Sequence, residues 1–125
     1  MMLCLVASMV MMAQGINGTY FLKNVGTQKF LAAGSYWGTH AIVNEVGLDF
    51  ILASSNGTVT MDSQVSNGGA NNFLNGEYVD GASFGWTFTS TGNGAYTIGN
   101  GEKFLTAGSD GLVTLADNAA AANAQ

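Results

Sequence analysis

The chain has 125 residues, 9% charged and 47% hydrophobic, with 18 glycines and no proline. That length allows one domain, and the composition excludes both a collagen-like repeat and a disordered acidic chain. Three lysines, no arginine and a net charge of −5 leave no cationic cluster for a phosphate backbone, which excludes nucleic acid as a partner.

The first element in chain order is an apolar segment, Met1–Ala13 (MMLCLVASMVMMA), polar only at Ser8. Its length and character are those of a signal-peptide core, with cleavage before Gln14, and it places the protein outside the cytoplasm, secreted or at the cell surface. The usual basic leader is missing, because Lys23 is the first cation. No stretch reaches the roughly 18–20 apolar residues that span a bilayer. On this reading the residues before about Gln14 pack loosely or protrude as a helix outside the β-core; the competing reading is a buried N-terminal helix or strand. Removal of the segment takes away Cys4, the one cysteine, so residues 14–125 are expected to hold no disulfide and no cysteine metal site.

After Gly15 the chain becomes short apolar runs broken by glycine and asparagine. The runs are Tyr20–Leu22, Ala41–Val43, Phe50–Leu52, Val59–Met61, Trp86–Phe88, Tyr96–Ile98 and Leu112–Leu115. Asn-Gly pairs at 17–18, 56–57, 67–68, 75–76, 93–94 and 100–101, with Asp-Gly at 80–81 and 110–111, tolerate positive φ and signal tight hairpins. No window carries helical periodicity, and the alanine-rich tail from Asp117 is too short for a stable helix. The expected class is all-β.

Three segments can be written over one another. The first is Tyr20-x-Leu22-x-Asn24, Lys29-Phe30-Leu31 and Ala41-Ile42-Val43; the second is Val59-x-Met61-x-Ser63, Asn72-Phe73-Leu74 and Glu77-Tyr78-Val79; the third is Tyr96-x-Ile98-x-Asn100, Lys103-Phe104-Leu105 and Leu112-Val113-Thr114. The Phe-Leu pair recurs after 43 and then 31 residues, from 30 to 73 to 104. Units of about 40 residues that cannot each bury an apolar face are expected to share one core. That core would hold Leu22, Leu31, Met61, Leu74, Ile98 and Leu105, whose burial contributes on the order of 10 kcal/mol before entropy.

This pattern resembles the β-trefoil, and the resemblance covers residues 14–125. The three Phe-Leu turns are similar to the short lysine–aromatic–leucine strands of fascin-type and ricin-B-type trefoils. Asn24-Val25-Gly26-Thr27 with Lys29-Phe30-Leu31 and Trp37-Gly38 resembles exported surface proteins of gut Bacteroidetes. The resemblance implies three four-strand repeats about one axis and a lectin-like, carbohydrate-binding role. One feature departs from it: ricin-type lectins place an Asp after the second strand of each sugar-binding unit, where this chain has Ala32 or Ala33, Asn75 and Thr106. The chain also stops at Gln125, where a final strand would begin, so the expected trefoil lacks its last strand and belongs to a longer parent with further domains. Strand Tyr20–Leu22 would then keep an open edge, with Val59 or Tyr96 partly exposed, unless the apolar N-terminal segment folds back into the gap.

Catalytic chemistry finds no support. His40 is the one histidine, so neither a histidine metal pair nor a Cys/His dyad can form, and no Gly-x-Ser-x-Gly elbow is present. No catalytic residue, metal or cofactor is expected. Glu77 and Asp80 sit three apart, on opposite faces of a strand, and read as surface charge. The sequons Asn17-Gly18-Thr19 and Asn56-Gly57-Thr58 read as hairpin turns.

Binding rests on the loop Gly34–His40. An aromatic face there, with polar groups beside it, can stack a sugar ring and take its hydroxyls. Tyr36, Trp37, His40 and Asn44 are the first candidates for ligand binding, and Asn75, Glu77, Tyr78 and Asp80 of the second unit follow. The bland alternative makes Trp37 a core-capping aromatic. Two functions follow: a non-catalytic module that binds glycans, or a structural or protein-interaction domain with no small-molecule site.

Overall fold

The computed structural model describes residues 2–6, 15–66, 68–69 and 71–117, the first five as backbone alone. The expected cleavage point at Gln14, the turn residue Asn67 and the tail leading to Gln125 lie outside the described residues. Twelve strands are described: β1 (Met2–Val6), β2 (Gly18–Asn24), β3 (Phe30–Ser35), β4 (His40–Asn44), β5 (Phe50–Ser55), β6 (Thr58–Asp62), β7 (Phe73–Asn75), β8 (Tyr78–Gly81), β9 (Thr87–Gly92), β10 (Ala95–Gly99), β11 (Phe104–Ala107) and β12 (Val113–Ala116). The all-β class is therefore as expected. No helix among the described residues is long and apolar enough to cross a membrane.

Strand formation follows the two-residue period. In β2, Tyr20, Leu22 and Asn24 point inward while Phe21 stays exposed; in β6, Val59 and Met61 are buried between half-buried neighbours. Two of the Asn-Gly pairs make two-residue hairpins with positive φ at both central positions: Asn56-Gly57 between β5 and β6, and Asn93-Gly94 between β9 and β10. Others do different work. Asn17-Gly18 leads into β2, where Asn17 Oδ1 accepts the Ser54 N–H at 3.0 Å. Asp80-Gly81 falls inside β8 rather than at a turn, and its glycine serves packing: a Cβ at Gly81 would come within 2.7 Å of the Asn75 Cβ.

The trefoil expectation is corrected. β2, β3, β4, β8, β7, β6 and β5 pair in that order, antiparallel throughout, and β5 returns to β2, closing a seven-strand barrel. A second sheet holds β9, β10, β11 and β12. Pairing thus divides the chain seven strands against the rest, not into three equivalent four-strand units. The six repeat-derived residues Leu22, Leu31, Met61, Leu74, Ile98 and Leu105 do share one core, all fully buried, with Trp86, Phe50 and Tyr20 among them. A shared core follows from which residues are apolar. Which strands pair is decided by non-local backbone bonding that the repeat does not encode.

Two expectations about the N-terminus are also corrected. Met2–Val6 is a strand, not a protruding helix: Leu3–Val6 pair with Phe21–Asn24 of β2, and Met2–Cys4 pair with Ala95–Thr97 of β10. The edge of β2 is consequently covered, and Val59 and Tyr96 are buried at 4% and 9% exposure. An extended apolar segment satisfies two rows of backbone donors and acceptors there, which a helix would have left unpaired.

Candidate functional site

The site is assembled where the β3–β4 hairpin meets β8. His40 and Tyr78 face each other across a short antiparallel contact in which Ala41 N–H donates to Glu77 O at 2.8 Å and Val79 N–H donates to Thr39 O at 2.9 Å. These bonds flank the 40–78 pair rather than join it, which makes it the closely spaced, non-hydrogen-bonded type. The two rings accordingly meet edge to face at 4.9 Å. Val79 points into the core, so Tyr78 and Asp80 share the outer face of β8.

A row of four rings crosses this junction. Tyr36 packs edge-on against His40 at 5.3 Å, His40 against Tyr78 at 4.9 Å, and Tyr78 lies 6.2 Å from Trp37 with their planes 31° apart. His40 is buried beneath the others. Its Nδ1–H donates to the Ala41 carbonyl at 2.8 Å, since a carbonyl only accepts, and Nε2 lies 3.6 Å from Glu77 Oε1. Glu77 Oε2 accepts the Leu115 N–H at 3.1 Å, which ties β12 to the same point.

Trp37 stands at the outer end of this row, 91% exposed, and Tyr36 is 61% exposed. The turn that carries them is unusual: Tyr36, Trp37 and Gly38 have φ of 42°, 61° and 79° in succession. Thr39 N–H closes it onto Tyr36 O at 3.4 Å, with Trp37 and Gly38 central as in a type I′ turn. Glycine adopts this backbone at no cost, but each non-glycine residue there loses roughly 1–2 kcal/mol. A large apolar ring is therefore held in water on a backbone it disfavours, with little protein contact to offset either cost.

A cleft of ≈ 370 Å³ opens beside the ring, lined by Trp37, Thr39, Tyr78 and Asp80. Among the described residues, the Trp37 indole N–H, the Thr39 and Tyr78 hydroxyls and the Asp80 carboxylate have no hydrogen-bond or ion-pair partner. The site thus offers aromatic surface, three donors and one anionic acceptor in one place.

The structure brings together Trp37, Tyr78 and Asp80 in the cleft, with Tyr36, His40 and Glu77 behind or beside them. Asn44 and Asn75 do not line it. Asn44 Oδ1 accepts Val46 N–H at 3.0 Å and Gly47 N–H at 2.6 Å, an Asx turn, while Asn75 Nδ2 donates to Ala82 O at 3.2 Å. Thr39 was not among the sequence candidates, although it lies inside the loop singled out. Its place follows only from the turn that presents it.

A second hollow, of ≈ 440 Å³, lies between Ile16, Ser54 and Tyr96. Ser54 Oγ there already accepts Ile16 N–H at 2.9 Å. No group of three or more His, Cys, Asp or Glu among the described residues converges as metal ligands. No protein-family model, curated protein or solved structure matches the chain.

Proposed function

We propose that the protein is a non-catalytic carbohydrate-binding module of a secreted or surface protein, with a sugar ring seated against Trp37. One observation carries this reading: a nearly fully exposed indole, held on a disfavoured turn, borders a cleft whose side-chain polar groups have no partner among the described residues. A pyranose presents an apolar face for the ring and a rim of hydroxyls for Thr39, Tyr78 and Asp80. His40 and Glu77 play a positioning role, fixing Tyr78 from behind.

Export rests on the apolar run Met1–Ala13. In the intact chain Met2–Val6 is a strand, so cleavage before Gln14 would draw that strand out of the sheet. The second reading, a protein-interaction domain, is favoured by Tyr36, which is exposed yet does not line the cleft. Exposed aromatics of this kind also anchor protein interfaces.

A glycan array probed with the intact chain and with Trp37→Ala separates these readings. Glycan retention by the intact chain, reduced about fivefold or more in Trp37→Ala, is expected from a stacking residue that supplies upward of 1 kcal/mol. Retention of no glycan by the intact chain would overturn the carbohydrate reading in favour of the protein-interaction one.

A further inference from the structure

Asp80 is the one charged side chain lining the cleft, and its carboxylate has no partner among the described residues. None of the three lysines lies there: Lys23 sits over the Phe30 ring, Lys29 is exposed near the β2–β3 turn, and Lys103 is 3.8 Å from Asp117. The nearest cationic candidate is His40, which is buried and has Glu77 beside it. Among the described residues the cleft therefore carries uncompensated negative charge, from one of the eight carboxylates that give the chain its net charge of −5.

A carboxylate in this position treats ligands unequally. It accepts hydrogen bonds from neutral hydroxyls and pairs with an ammonium group, which the faces of Trp37 and Tyr78 also attract through their ring quadrupoles. Facing a uronate, sialate or sulfate it meets a like charge with no cation to relieve the repulsion. Hydrogen bonding alone would tolerate all three ligand types. Charge does not.

We infer that Asp80 makes the cleft selective for neutral and amine-bearing sugars and turns acidic glycans away. This rests on the carbohydrate reading and adds the class of sugar to it. Asp80 is partly open to water, so its effect is that of an exposed charge pair. The preference for amine-bearing over acidic glycans is expected to fall about fivefold in Asp80→Asn at low ionic strength, and to shrink in the native protein as salt is raised.

The test is an array bearing neutral, amino-bearing, uronic, sialylated and sulfated glycans, probed with the native chain, Asp80→Asn and Trp37→Ala at low and high salt. The expected result is stronger native retention of neutral and amine-bearing glycans than of acidic ones, a narrowing of that gap in Asp80→Asn, and weakened retention of every class in Trp37→Ala. Acidic glycans retained by the native chain as well as neutral ones, or an unchanged pattern in Asp80→Asn, would overturn the selectivity while leaving the carbohydrate reading intact. Retention of nothing by the native chain would overturn both.

Discussion

Trp37 carries opposite implications for stability and for binding, and that opposition is measurable. Its φ of 61° and its 91% exposure mean that the fold gains little from the side chain and bears its backbone strain. Asparagine adopts the left-handed region more readily than tryptophan, so Trp37→Asn relieves strain while giving up the contact with Tyr78, worth about 0.5–1.5 kcal/mol. These terms nearly cancel. Chemical denaturation should find the variant within about 1 kcal/mol of the native protein, although glycan retention is lost. A loss above roughly 2 kcal/mol would mark Trp37 as a core-capping aromatic instead. An aromatic in a glycine-flanked loop made Trp37 legible in the sequence. Asn44 was misleading for a physical reason: a side-chain amide that could bind a hydroxyl binds backbone N–H groups equally well, and here Val46 and Gly47 took it.

β8 is the element on which the cleft depends, because it carries both Tyr78 and Asp80 within four residues. It is held from two sides. Val79 N–H donates to Thr39 O, and Val79 O accepts the Ser63 hydroxyl at 2.7 Å. Ser63 is fully buried just after β6, where it also accepts the Val65 N–H at 3.1 Å. Ser63→Ala removes the hydroxyl and leaves the Val79 carbonyl unsatisfied, so a loss of about 1–3 kcal/mol is expected in urea denaturation. The same change should shift the backbone amide resonances of Tyr78 and Asp80; an unaltered midpoint would show that the Ser63 hydroxyl contributes nothing to holding β8. Ser63 was visible as a repeat position, aligned with Asn24 and Asn100. Its role was not, because only the structure shows that all three use a side-chain oxygen to take a nearby N–H: Ser63 from Val65, Asn24 from Thr27, and Asn100 from Glu102 and Lys103. The contact of β8 with β4 was not legible, because His40 and Tyr78 are far apart in sequence.

For the whole molecule, the barrel and the second sheet are joined through β1, which pairs with β2 on one side and β10 on the other. A fragment lacking residues 1–14 would present two facing strand edges with unpaired N–H and C=O groups. It should melt about 10 °C lower, corresponding to a loss of a few kcal/mol, and associate as concentration rises in sedimentation experiments. An unchanged Tm with a monomeric fragment would show that β1 contributes nothing to the sheet. The apolar pattern specified the class and the core residues, from Leu22 to Leu105, because burial depends on side-chain type and period. It did not specify the closure of seven strands, which depends on pairings such as Gly18–Tyr20 with Phe50–Leu52. The two tryptophans supply the sharpest test of the site. Trp86 is fully buried, its indole N–H donating to Leu74 O at 2.9 Å, whereas Trp37 is in water. Nitrogen–proton correlation spectra should therefore show two separate indole signals, one for each environment. Titration with the glycan best retained on the array should move the Trp37 signal and leave that of Trp86 in place. A glycan that binds while the Trp37 signal stays fixed would contradict a sugar site at this cleft.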